Sequence, residues 1–415
     1  MKEKLKLLVT LGITLVMSST LLVGCNTDSA DKDKVQLEVF STKPENKNIL
    51  QSMITDFNKQ NPDINVTLSA PADAGTVLKA RLTKDDVPDI MSLGGDAVNY
   101  APLVDADMLS NLTNESFTKN IDKAYLEMMN QLKEKPDGKV YAIPYATNAC
   151  GIIYNKDLFT KLGLEVPTTW DELIAVCNKI KASGGTPFYL TLKDSWTGMP
   201  YWNALTSNLQ PKNFLKDRKA EKTTFSATHG EIVDKMMQIG NNAEKDILGV
   251  SYDDGNAAFS QGKAFMYIQG NWAISEIKKG NPKINLGMFM LPASSDASKN
   301  SVLSGVDVAF AISKDSPHQV EAKKFISYMI EKENVQKYIK DQFAFSAVKG
   351  VEQKDPSVSE IQHSLTEGKI IGFSDHYYPA AFDTASLIQG LYTKKNKAEF
   401  LKKLDVEYHK ANNRR

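Results

Sequence analysis

Val35, Leu37 and Val39 alternate with Gln36 and Glu38, the period-two pattern of a half-buried strand. Ile49, Leu50, Met53, Ile54 and Phe57 then recur at helical spacing until Asn61-Pro62 stops them, and Ile64 to Leu68 alternates again. This strand–helix–strand succession constrains the fold most, because it implies parallel strands joined by a helical crossover. The rhythm continues with a helix over Val77 to Leu82 and a strand from Pro88 to Met91. That strand runs into Leu93-Gly94-Gly95-Asp96, a turn at the carboxyl edge, where open α/β sheets bind ligands. Later, Gly151 to Tyr154 reads as a strand, and a helix starts at Thr168 or Thr169 and runs to about Lys181. Residues 229–245 and 317–340 read as amphipathic helices, and 287–291 and 306–312 as apolar strands.

The 415 residues exceed one core and fit about two domains. No repeat or low-complexity linker divides them, so the domains are expected to be joined by several short crossings. Fifty basic residues balance fifty acidic ones, which argues against a nucleic-acid partner. Three Cys cannot frame a disulfide scaffold, and five scattered His make a multi-His metal centre unexpected. The chain has no G-x-S-x-G, H-E-x-x-H or C-x-x-C. Gly255 and Gly262-Lys263 imitate a phosphate loop, but the spacing is wrong and Ala264 stands where Ser or Thr is required. Cys150 and Cys177 read as small buried apolar residues, not nucleophiles.

Lys2, Lys4 and Lys6 precede an interrupted apolar stretch from Leu7 to Val23, the pattern of a signal peptide over residues 1–24. It ends Leu22-Val23-Gly24-Cys25, which resembles a bacterial lipobox. The resemblance implies a mature chain beginning at Cys25, its thiol carrying a diacylglycerol. Residues 25–34 then form a polar flexible tether. The leader holds three Lys and one Glu, so the mature chain has 47 basic and 49 acidic residues.

Two segments carry family character. The first runs Tyr141-Ala-Ile-Pro144 through Asn148, Gly151, Tyr154-Asn155-Lys156-Asp157 and Gly163-Leu164 to Pro167-Thr-Thr-Trp170-Asp171-Glu172-Leu173. The second is Gly262-Lys263-Ala264-Phe265-Met266 followed by Gly270-Asn271-Trp272-Ala273. In this order they resemble the family 1 extracellular solute-binding proteins of ABC sugar importers, as do Val87-Pro88-Asp89-Ile90 and Ser304-Gly305-Val306-Asp307. The resemblance implies a two-lobed, type II periplasmic-binding-protein-like α/β fold. Each lobe is then a mostly parallel sheet flanked by helices, and hinge strands join the two. The expected N-terminal lobe is 35–147 plus 307–345, and the C-terminal lobe 148–306 plus 346–415. The implied protein is a monomer on the outer face of the bacterial cytoplasmic membrane. It is not an enzyme, has no cofactor or metal, and hands a sugar or oligosaccharide to ABC permease subunits.

A sugar presents hydroxyls at its rim and C–H groups on its faces, so it wants carboxylates, amides and Lys beside flat rings. Trp272 opens a helix, Ala273 to Lys278, where the family places a stacking ring; core packing is the alternative. Trp196 lies in a loop that matches a family cleft loop, whereas Trp170 matches a packing position. Trp202 is a ring candidate that also reads as a core stripe with Leu205 and Leu209. Lys43 and Glu45 follow the first strand, where relatives supply charged contacts; solvated charge is the alternative. Asp96 matches a hydroxyl acceptor or caps the next helix. Asn148 stands where the family's maltose receptor carries Glu, which changes the hydroxyl pattern read there. Asp307 follows a predicted hinge crossing, and its alternative is a strand-end turn. In Asp375-His376-Tyr377-Tyr378, Tyr378 is the candidate ring, with Tyr377 and Phe382 competing. A surface glycoside hydrolase, a receptor for a non-sugar solute and a sensor lobe are the other readings of the chain.

Overall fold

The computed structural model describes residues 34–379 and 381–413. The signal segment and Cys25 lie outside the described residues, as does the tether up to residue 33. The order of strands in the sheet is β2-β1-β3-β8-β4-β6-β5, with β7, β9 and β10 added at its middle. Strands β1 (Val35–Ser41), β2 (Ile64–Ser69) and β3 (Ile90–Leu93) are parallel. Two long strands, β4 (Ile143–Asn155) and β8 (Val302–Ile312), run antiparallel to one another through the middle. Strands β5 (Phe188–Tyr189) and β6 (Met266–Gly270) are parallel to each other, and β7 (Leu286–Phe289) pairs with β4. Strand β9 (Phe345–Ser346) pairs with β4, and β10 (Ile370–Ile371) with β8. β8 pairs antiparallel with β3, and β4 pairs antiparallel with β6 and β7.

The helices form where the apolar spacing predicts them. Lys47–Gln60 buries Ile49, Leu50, Met53, Ile54 and Phe57 and ends at Asn61, before Pro62. Trp170–Ala182 starts at Thr169, whose hydroxyl accepts from the Glu172 N–H while the Glu172 carboxylate accepts from the Thr169 N–H. The expected single helix over 317–340 is instead two, Gln319–Met329 and Lys332–Asp341. Continuing one helix past Met329 would bring Lys332 and Glu333 onto the buried stripe. The break reorients the chain so that Val335, Tyr338 and Ile339 reach the core. Among the described residues no helix is long and apolar enough to cross a membrane.

The buried side chains gather into separate cores. The first joins β1, β2 and β3 to Ile143, Tyr145, Ala146, residues 306–312 and the helices over 319–341. The others cover the two faces of the remaining sheet. Cys150, Ile152 and Tyr154 point to one face, and Ala149 and Ile153 to the other. Strands β4 and β8 therefore leave one core for the other at Thr147–Asn148 and at Ser304–Gly305, where Asn148 pairs with Gly305. Later in the chain, Ala347, Val348 and Val351 pack with the first core and Val358 with the other side. The third passage thus spans residues 352–357.

Two candidate rings are core residues. Trp202 is 0% exposed, stacked on His229 at 5.8 Å and edge-on to Phe400 at 6.1 Å. The spacing with Leu205 reflects this buried helix face, not a ligand platform. Tyr378 is buried among Phe225, Phe382 and Tyr408. Phe382, its competitor, lies in the same cluster. Burial also pushes the Cys177 thiol up to about 12 and raises Cys150, so both are apolar filling.

Trp202→Ala is expected to cost about 3–5 kcal/mol of stability, read by thermal or denaturant unfolding, while the folded fraction keeps its ligand affinity. An affinity loss at unchanged stability would return Trp202 to the site. Glu244 is buried enough to raise its carboxyl to about 7, although both oxygens accept the Leu190 N–H. Its protonated form is favoured in the folded state. Stability should therefore fall as pH rises from about 4.5 through 7, and Glu244→Gln should flatten that part of the melting-temperature profile.

Candidate functional site

The first core contributes a charged pair. Lys43 follows β1, and its Nζ donates to Asp307 Oδ2 on β8. Both side chains remain partly exposed, 30% for Lys43 and 22% for Asp307. Asn46 fixes the Lys43 loop: its Oδ1 accepts from Ser41 Oγ at 2.9 Å, and its Nδ2 donates to Tyr338 Oη at 3.1 Å. Glu45 sits exposed on the short turn Pro44–Asn46. Asp307 owes its orientation to a bulge. Val306 pairs with Thr147 and Val308 with Ala146, which leaves Asp307 as the extra residue. Such an insertion re-aims a side chain that regular alternation would bury.

Asp96 lies in the turn after β3. Its Oδ1 accepts the N–H groups of Val98 and Asn99, both at 2.7 Å, and Asn99 Nδ2 reaches both oxygens. This carboxylate is spent mainly on holding its own turn. The turn is pressed onto β8 through Gly95, whose N–H donates to Val306 O at 3.0 Å. A Cβ at Gly95 would lie 2.6 Å from Val306 Cβ, so only glycine permits the approach. Asn148 stands at the passage between cores. Its Oδ1 accepts the Gly305 N–H at 3.2 Å, and its carbonyl accepts from Ser304 Oγ at 2.6 Å. Ser304 Oγ also contacts Tyr125 Oη at 2.9 Å. Asn148 binds the two strands to each other, a role that spacing could not show.

The second lobe contributes rings. Trp272 opens helix Trp272–Gly280, directly after β6. Its ring lies over the Gly270 backbone, where a Cβ would come within 2.1 Å of it. Trp196 is 43% exposed, 6.5 Å from the Trp272 ring and 5.0 Å from Tyr252. The Tyr252 N–H donates to Asp194 Oδ2 at 2.7 Å, which ties its helix to the Trp196 loop. Trp196, Tyr252 and Trp272 thus form one strip of three rings. Tyr252 was not among the expected residues. Its signal is a Ser251 cap that places an aromatic at a helix start.

The segment before Tyr378 does reach the passage. Phe373 and His376 stack at 4.9 Å, and Phe373 lies so close over Gly305 that a Cβ there would meet its ring at 2.9 Å. His376 and the competing Tyr377, not Tyr378, are therefore the partly exposed rings of this segment, and His376 lies beside Gly305, two residues along β8 from Asp307. The candidates thus divide into four groups. The structure brings together Lys43, Asp307 and the Asp96 turn on one side of the passage, and Trp196 and Trp272 on the other. Asn148 joins the strands between them, and Trp202 and Tyr378 lie in the core. A separate hollow of about 420 Å³, lined by Met237, Gly240, Glu244, Leu391 and Tyr392, contains none of these residues.

Known proteins share this arrangement of the chain. The family model described as bacterial extracellular solute-binding protein matches residues 42–336. The chain is 32% identical over 388 residues to the multiple sugar-binding protein of Streptococcus mutans, covering 91% of this chain and 88% of that one. It is 25% identical to the melibiose/raffinose/stachyose-binding protein MelE of Bacillus subtilis over 77% of each chain. The apo form of RafE from Streptococcus pneumoniae superposes with a TM-score of 0.82 at 27% identity, over 92% of this chain and 98% of that one. RafE in complex with raffinose superposes less closely, at 0.75 and 27% identity, over 91% and 100%. The chain therefore belongs to the bacterial extracellular solute-binding proteins, the family 1 receptors of ABC sugar importers, and has their two-lobed type II fold.

Proposed function

We propose that this chain captures an oligosaccharide between its lobes and delivers it to an ABC permease, without chemical conversion. The observation that carries the reading is the pairing of surfaces: a strip of three rings on one side of the strand passage and a partly exposed Lys43–Asp307 pair on the other. Rings take the faces of a sugar, and the charged pair takes its hydroxyls. Names of relatives narrow the ligand. MelE and RafE point to galactosides of the melibiose–raffinose–stachyose series, and the multiple sugar-binding protein to sugars without naming which.

The lobes of this reading are 35–147 plus 306–351 and 148–305 plus 358–415, with bending at Asn148 and Gly305; the bound expected after residue 345 is set at the third passage because Ala347, Val348 and Val351 pack with the first core. The closer superposition on ligand-free RafE than on its raffinose complex supports an open resting form that closes on sugar. Glu45, exposed beside Lys43, would meet hydroxyls only after closure. A diacylglycerol on Cys25 would hold the receptor at the outer membrane face and raise its concentration near the permease. The protein would work as a monomer, with no cofactor or metal.

Calorimetric titration with melibiose, raffinose, stachyose and maltose should show saturable binding of at least one galactoside and no released monosaccharide. Trp272→Ala should weaken that binding at least about thirtyfold while the ligand-free protein stays folded, as expected for an anchor worth about 2 kcal/mol. Absence of binding across the panel, or an unchanged affinity in Trp272→Ala, would overturn the reading. Cys25→Ala should shift the cell-associated protein into the medium; retention at the membrane would dismiss the lipid anchor.

A further inference from the structure

Asn271 occupies the N-cap position of helix Trp272–Gly280, immediately before the platform ring. An Asn at that position ordinarily accepts from an amide of its own first turn. Here the side chain makes no such bond. It is 3% exposed and spent elsewhere. Oδ1 accepts the Ala149 N–H at 2.9 Å, and the Asn271 N–H donates to Ala149 O at 3.0 Å. Nδ2 donates to Phe343 O at 2.5 Å.

Those two partners belong to different parts of the hinge. Ala149 is the first residue of β4 beyond the passage at Asn148. Phe343 lies on the chain leaving helix Lys332–Asp341, a first-core helix, where Ala344 packs in the first core while Phe343 and Phe345 already pack on the other side. Phe343 holds a left-handed backbone, φ +52°, which a bulky side chain adopts only when its surroundings impose it. Helix Trp272–Gly280 grips this segment again through Lys278, whose Nζ lies 5.3 Å from the Phe343 ring centre and pairs with Asp355 in the third passage.

We propose that Asn271 is a positioning residue for sugar capture. It pins the Trp272 platform to a hinge strand of its own lobe and to the chain emerging from the other lobe, so that closure carries the ring along a fixed path toward Lys43 and Asp307. A ligand can drive closure only if its contacts differ between open and closed forms. The pin converts stacking on one ring into a bias on the angle between lobes. This inference rests on the sugar-receptor reading.

Asn271→Asp tests it, because the change keeps the shape and the acceptor toward Ala149 but sets a carboxylate oxygen against Phe343 O. The readouts are sugar affinity by calorimetry and the contraction of the radius of gyration on sugar saturation by small-angle scattering. Asn271→Asp should bind roughly tenfold more weakly and contract less than the wild-type protein at saturation. Lys278→Met, which leaves Asn271 in place, should move both readouts the same way by a smaller factor. If Asn271→Asp lowers the melting temperature but contracts and binds like the wild type, its role is structural and the proposal fails. If Asn271→Asp does not fold, Lys278→Met decides by the same two readouts. A wild-type protein that binds sugar but does not contract overturns the inference alone, whereas one that binds no sugar overturns the function as well.

Discussion

The structure depends on two antiparallel strands that serve two cores at once. β4 and β8 pair along most of their length, yet each changes core midway, at Asn148 and at Gly305. Backbone pairing holds the molecule together at this point, because the apolar packing is interrupted there. Asn148 reinforces the pairing with its own side chain, and Ser304 and Tyr125 extend the polar link toward helix Lys123–Gln131. A passage fastened by hydrogen bonds and flanked by two independent cores is where a chain bends most cheaply.

That constraint also explains where the polar and aromatic residues collect. The bulge at Asp307 turns one carboxylate out of an otherwise buried strand, and Lys43 meets it from the end of β1. Glycines 95, 270 and 305 allow a turn, a Trp ring and a Phe ring to lie directly on strand backbones near the passage. In each case a Cβ would displace the group above it. The aromatic strip and the charged pair thus follow from local geometry that begins at the two shared strands.

Periodicity revealed most of the strands and helices, since burial of one face leaves a direct imprint on spacing. It missed the break after Met329, where the buried stripe changes phase, and it did not show that β4 starts as early as Ile143. The candidate strip was legible where a ring follows a turn at a strand end, as at Trp272, whose ring neighbours Trp196. It stayed open at Trp202 and pointed to the wrong ring at Tyr378, because a large ring satisfies a core as readily as a sugar, and only His229, Phe225 and Tyr408 around them decide which. Tyr252 and His376 went unread because their neighbours Trp196 and Gly305 are distant in sequence. Asp96 had two readings, and its hydrogen bonds favour the turn-holding one. Asp307 was placed by its position after a crossing, but the bulge that exposes it depends on strand register, which no single strand encodes.

The most direct test of the account is a crystal structure of the protein grown with its tightest-binding sugar. A sugar ring should lie on the face of Trp272, with a hydroxyl within hydrogen-bond distance of Asp307 or Lys43 and the lobes closer together than in the free protein. A sugar seated in the hollow walled by Glu244 and Tyr392, or touching only one lobe, would contradict it.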